Sequence, residues 1–265
     1  MFISTPKGFN HFYELFNKES KDTDYKSFNF SSLDNPFLPV SEIEKARLEL
    51  PEDRFAQEYM ADFRKTEGLV YKEFKREVHL FKDIKEVPEV ISNVVVAVDF
   101  GHTNPAAVLR IAVDRDNTFW ITDEWYKTQK TTEQIVNIVK GFNPNYVYPD
   151  PAEPDRIQML ESAGLNCREV SKDITAGIDR VRELFKQHRI KIHESLENLI
   201  WELETYRYPD RKTNHNENEV PIKENDHALD ALRYALYNYN ETTSYRRATE
   251  IQSNRQNYGR QNSYN

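Results

Sequence analysis

The chain has a single cysteine, Cys167, so it cannot form an internal disulfide and nothing in it points to an oxidising compartment; the cytosol is the expected setting. No stretch approaches the ~18 apolar residues of a membrane span, and the apolar run Val94–Val98 meets Asp99 at once, so neither a span nor a signal peptide is expected. Glycine is scarce. The chain has seven, none near enough to another to build a glycine-rich turn, and Gly-x-x-x-x-Gly-Lys-[Ser/Thr] occurs nowhere. No Cys/His cluster has zinc spacing. Positive charge is also in deficit: the net charge of -8 argues against a surface broadly suited to phosphate, since that affinity comes from Lys and Arg that displace counterions. Chemistry run through carboxylate-bound cations would carry negative charge for its own reasons.

What is present suffices for one well-packed domain and a smaller piece, with 265 residues of which 38% are hydrophobic. Met1–Ile3 is the stub of an apolar strand. Aromatic residues at 9, 12, 13 and 16 have helical spacing, and Ser31–Pro36 is rich in turn formers. Ser41 with Glu44 three residues on has the form of a capping box. Pro51–Phe63 predicts a helix with Phe55, Tyr59 and Phe63 stacked one turn apart. Residues 1–75 therefore read as the helical tail of a larger domain and 76–93 as a linker. From Val94 the pattern changes to three strands, Val94–Val98, Ala106–Val113 and Phe119–Trp125, forming an antiparallel meander. A helix over Thr131–Lys140, a strand over Asn145–Tyr148, a helix over Pro154–Ala163 stopped by Gly164, and a strand over Asn166–Val170 follow. Helices around Ile178–His188, Leu196–Tyr206 and Ala228–Tyr239 complete a domain over 94–240: an α/β mixed sheet flanked by helices. Residues 241–265, polar with almost no aliphatic side chains, predict a disordered tail, mildly basic through Arg246, Arg247, Arg255 and Arg260.

The charged residues placed to do chemistry are carboxylates. Asp99 ends the most apolar strand; Asp150 ends another, between two prolines. Asp226 and Asp230 are four apart at the start of the last helix and share a face, with His227 nearby. Carboxylates on two strand ends and one helix can meet at a point, as a two-metal site requires, and hard oxygen ligands favour Mg²⁺ or Mn²⁺. Each has a plain alternative. Asp99 could serve the turn before Phe100-Gly101, Asp150 could be a loop residue, Asp226 could cap the last helix, and His227 could be a satisfied surface histidine. Capping is the simpler role for Asp226, which leaves Asp230 as the third expected ligand.

Four segments, in this order, resemble the nuclease motifs of phage terminase large subunits: Val-Ala-Val-Asp-Phe-Gly-His-Thr-Asn-Pro (96–105), Tyr-Pro-Asp-Pro-Ala-Glu-Pro (148–154), Ile-Thr-Ala-Gly-Ile-Asp (174–179) and Asp-His-Ala-Leu-Asp-Ala-Leu-Arg-Tyr-Ala-Leu (226–236). Upstream, Ile-Ser-Thr-Pro-Lys-Gly (3–8), Ser-Ser-Leu-Asp-Asn-Pro-Phe-Leu-Pro (31–39) and Leu-Pro-Glu-Asp-Arg-Phe-Ala-Gln-Glu-Tyr (50–59) are similar to the end of that family's packaging ATPase. The resemblance implies a ribonuclease H-like fold preceded by a helical remnant of an ATPase domain, and a metal-dependent endonuclease acting on double-stranded DNA during genome packaging in the host cytoplasm. It assigns metal binding to Asp99, Asp150 and Asp230, with His227 and Asp226 beside them, and coupling to Ser4 and Thr5. It implies a portal and a small terminase subunit as partners. Without a phosphate loop the chain is expected to lack the ATP-binding half and to be a fragment, a split-gene product, or one half of a two-chain enzyme whose other chain carries that half. Two rivals remain: a catalytically silent terminase fragment or interaction module, and an actin- or sugar-kinase-like nucleotide-binding fold suggested by Asp99-Phe-Gly-His-Thr-Asn. The latter would need further glycine-rich turns.

Overall fold

A computed structural model describes residues 2–4, 11–20, 24–63, 68–209 and 220–239. The expected tail over 241–265, Met1 and Thr5 lie outside the described residues; Phe2–Ser4 is not a strand. The first helices are α1 (His11–Phe16), α2 (Val40–Glu49) and α3 (Glu52–Glu58). The cap expected at Ser41 is not used: α2 starts one residue earlier, after Pro39, whose φ of -60° already suits a helix entry. A capping box forms instead at Ser31, whose backbone N–H donates to Asp34 Oδ2 at 2.7 Å. The helix expected over 51–63 stops at Glu58, and Ala61 takes a left-handed φ of 52°. Phe55 stacks on Tyr59 as expected, at 5.3 Å, but Phe63 turns to Tyr13 and Phe16 of α1. Ile43, Ala46 and Phe55 make a small core of their own.

The 76–93 segment, expected as a linker, contributes α4 (Arg76–His79), β1 (Leu80–Phe81) and the start of β2 (Ile91–Asp99). β3 (Ala106–Asp114) and β4 (Phe119–Lys127) pair antiparallel in sequence with β2, which is the expected meander. After α5 (Thr132–Gly141), β5 (Tyr146–Pro149) lies parallel to β2. Next come α6 (Pro154–Ser162), α7 (Ile174–Lys186), β6 (Ile190–His193), α8 (Glu197–Thr205) and α9 (His227–Asn238). Gly164 follows α6 at φ 84°, the conformation that a helix stop uses. The strand expected over Asn166–Val170 is reduced to one bridge, Val147 to Cys167. β5 is short, and by Ser171 the chain is tied to Asn238 of α9. β6 was not foreseen; its Ile190 and Ile192 are buried between β1 and β4.

The sheet order is β1-β6-β4-β3-β2-β5. Because successive strand residues face opposite sides, Val95 and Ala97 of β2 join Val181, Leu184, Leu199, Leu232 and Leu236 of α7, α8 and α9. Val96 and Val98 join Ile135, Val139 and Leu160 of α5 and α6. The sheet is thus covered on both faces. Among the described residues no helix is long and apolar enough to cross a membrane.

Helix α7 is pressed against α9 through Gly177. A Cβ built there would sit 2.5 Å from both Cγ and Cδ of Arg233. Arg233 is buried and lies against Asp230, so it has little room to withdraw. Alanine would normally gain up to ~1 kcal/mol within a helix, but overpacking costs about 1–3 kcal/mol. Gly177→Ala is therefore expected to lower the melting temperature by a few degrees; an unchanged or higher melting temperature would show that Arg233 moves aside.

Candidate metal centre

The two-residue strand period that sends Val95 and Ala97 toward α9 also sends Asp99 there, and Tyr146 and Tyr148 of β5 do the same for Asp150. The backbone N–H of Asp150 donates to the carbonyl of Val98 at 2.8 Å, so the two aspartates end neighbouring parallel strands side by side. α9 packs across β2, β3 and β5 and brings its first turn over those strand ends. His227 Nδ1 stands 3.0 Å from Asp99 Oδ2. Asp226 and Asp230 follow each other up one face, with Leu229, Leu232 and Leu236 buried beside them.

These groups feel one another. Burial raises the Asp99 carboxyl above the usual carboxylate range, and the charges of Asp150 and Asp226 add to this while His227 opposes it. Burial pushes Asp230 up to about 6, helped by Asp226 and Asp99 and opposed by Arg233. The hydrogen bond to Asp99 raises the His227 imidazole and favours its charged form. The structure thus brings Asp99, Asp150, Asp226, Asp230 and His227 together.

Several of the acids already have a protein cation. Asp150 Oδ1 accepts from Lys172 Nζ at 2.8 Å and from the Ala152 N–H at 3.0 Å. Arg233 Nη2 forms an ion pair with Asp230 Oδ1 at 2.8 Å but is out of line for a hydrogen bond, and among the described residues no group donates a hydrogen bond to that buried oxygen. As the side chains stand, no three His, Cys, Asp or Glu groups among the described residues close on a single ion position. The donor set nevertheless fits a hard cation in kind: carboxylate oxygens from two strands and a helix, one of them buried, ion-paired with Arg233 and accepting no hydrogen bond among the described residues.

One role expected from sequence is overturned. Asp226 occupies the residue before α9 but its side chain makes no capping hydrogen bond. The cap comes from α8: the Leu229 N–H donates to Glu202 Oε2 at 2.9 Å, and Tyr126 Oη donates to Glu202 Oε1 at 2.9 Å. Asp226 has instead the Tyr206 hydroxyl at 3.5 Å. Glu202 was not singled out from sequence. A signal existed, because Glu202 falls in the buried stripe of α8 with Leu199 and Leu203, where a charged residue needs a partner.

Burial pushes the Glu202 carboxyl up to about 8, against the hydrogen bonds it accepts. The folded protein therefore holds a proton there that the unfolded chain releases near its ordinary value. This contribution to stability is complete below about pH 4.5 and is lost as pH rises through about 8. Glu202→Gln imitates the protonated acid, so its melting temperature is expected to fall less than that of the wild type between pH 5 and 8.5; parallel curves would contradict the assignment.

The profile of the family described as Terminase RNAseH like domain matches residues 99–238. The terminase large subunit of Escherichia phage T5 is 29% identical over 252 residues, which cover 89% of this chain and 57% of that protein. The chain thus spans little more than half the length of this relative. Among solved structures, the large terminase from a thermophilic bacteriophage in complex with ATP-gamma-S superposes with a TM-score of 0.77 at 20% identity, over 88% of this chain and 61% of that one. The large terminase nuclease domain from the bacteriophage SPP1 with bound Mn superposes at 0.50 and 19% identity, over 64% of this chain and 97% of that one. At such identities the superpositions establish the ribonuclease H-like fold, and the profile match over more than half of the chain establishes the family: the chain belongs to the terminase RNase H-like domain family.

Proposed function

We propose that residues 94–240 are a Mg²⁺- or Mn²⁺-dependent endonuclease that cuts double-stranded DNA during phage genome packaging. Residues 1–75 would be the trailing part of a packaging ATPase domain, while 76–93 enters the nuclease sheet through β1 and the start of β2. The observation that carries the reading is the convergence of carboxylates from β2, β5 and α9 on one face of a ribonuclease H-like sheet. Asp99, Asp150 and Asp230 would hold the cations, with Asp226 beside them. The SPP1 nuclease domain with bound Mn, of the same fold, supports a divalent ion at such a site. When bound, the cations supply an activated water and neutralise charge on the scissile phosphate. The chain's own groups prepare the place for them. His227 donates to Asp99 and fixes the orientation of its carboxylate, and Lys172 and the Ala152 N–H do the same for Asp150 through one oxygen, leaving the other open. Host cytoplasm, portal and small terminase subunit complete the proposed setting.

Purified protein is expected to nick supercoiled plasmid with Mn²⁺ or Mg²⁺ and to stop when a chelator is added. Cleavage that continues in chelator would remove the metal from the account. No cleavage by well-folded protein under any of these conditions would favour the silent interaction module.

A further inference from the structure

We propose that Glu202 is a positioning residue of the site: by capping α9 from the neighbouring helix it frees Asp226 for the acidic cluster and sets His227 against Asp99. The first N–H groups of a helix have no partner within it, and the residue preceding the helix usually supplies one. Asp226 is in that place, of a residue type suited to the task, and does not perform it. Glu202, with no exposed surface, does so from α8, and its second oxygen is held by Tyr126 of β4. The Tyr126 ring lies 6.3 Å from the His227 ring. The start of α9 is therefore clamped between α8 and β4 at the turn that carries Asp226, His227 and Asp230.

Were Asp226 the cap, its carboxylate would be turned back onto the helix N–H groups and lost to the cluster. A cap supplied from another element removes that competition. It also makes the spacing between α9 and the strand ends depend on one buried side chain with both oxygens engaged. The claim about α9 is independent of the metal; the claim about Asp226 and His227 rests on the nuclease reading above.

Two measurements on the full chain test it: hydrogen exchange of the Ala228 and Leu229 amides, and Mn²⁺ affinity by electron paramagnetic resonance. Glu202→Ala is expected to speed exchange in that turn and to weaken Mn²⁺ binding by about tenfold or more, the range typical of groups that orient metal ligands. Glu202→Gln keeps an acceptor for Leu229 and should return both toward wild type. A folded Glu202→Ala protein with wild-type exchange overturns the proposal, as does one with faster exchange but unaltered Mn²⁺ affinity, which reduces Glu202 to a structural cap. If Glu202→Ala does not fold, Tyr126→Phe replaces it: faster exchange with weaker Mn²⁺ binding supports the proposal and wild-type values overturn it. Wild-type protein that binds no Mn²⁺ would fail the metal reading instead, and the exchange rates alone would then decide whether Glu202 holds α9.

Discussion

Asp99→Asn is expected to reduce metal-dependent DNA cleavage by about a thousandfold or more, the rate equivalent of losing several kcal/mol of stabilisation at the phosphate. Asp99 ends the central part of the sheet, is buried, and is the acid on which His227 is oriented. Asparagine keeps the shape and can still accept from His227 Nδ1, but it removes the ligand charge. The fold should not suffer. Burial and the neighbouring acids already favour the neutral form of this side chain, so a neutral isostere relieves repulsion in the metal-free protein. Plasmid nicking and a thermal melt on the same preparation read both effects. Undiminished cleavage by a folded Asp99→Asn protein would move the active site elsewhere.

The second large effect concerns the two acids at the start of α9. From sequence, Asp230→Asn should abolish cleavage and Asp226→Asn should retain it, because asparagine still caps. The structure withdraws the second half of that argument, since Glu202 holds the cap and Asp226 belongs to the cluster. Asp230→Asn remains the null variant; Asp226→Asn is now expected to lose about tenfold or more. Their stabilities give an independent check. Two effects compete at Asp230: substitution leaves Arg233 buried without its counter-charge, but it also relieves a carboxylate held near 6 by burial and by Asp226 and Asp99. That raised value already includes the pull of Arg233, so relief wins. A raised acid takes up a proton on folding and its contribution is lost as pH climbs from about 4 through about 6. At pH 8 without metal, Asp230→Asn should therefore melt a few degrees above wild type, on the order of 1–3 kcal/mol, and the advantage should vanish near pH 4. A variant several degrees less stable at pH 8 would make Asp230 the structural partner of Arg233 rather than a ligand held ready.

How much of this was legible depends on whether the information is local. The apolar runs placed Asp99 and Asp150 at the ends of two strands, and a spacing of four placed Asp226 and Asp230 on one helix face, because both signals lie in the local sequence. The meander and the stop at Gly164 follow from the same local rules. What was missed is tertiary. β6 is a strand because β1 and β4 flank it. Asn166–Val170 is not, because β5 offers only a four-residue edge. Asp226 looks like a cap in any reading of its own neighbours; only the packing of α8 against α9 reveals that Glu202 has taken the role. Lys172 and Arg233, the cations that hold Asp150 and Asp230, carry no mark in the sequence that sets them apart from other basic residues.

The most direct test of the central claim is anomalous diffraction from crystals of the protein soaked in Mn²⁺. The account predicts manganese density bounded by the carboxylates of Asp99, Asp150 and Asp230. Manganese bound elsewhere, or excluded from those three carboxylates while the crystals remain ordered, would contradict it.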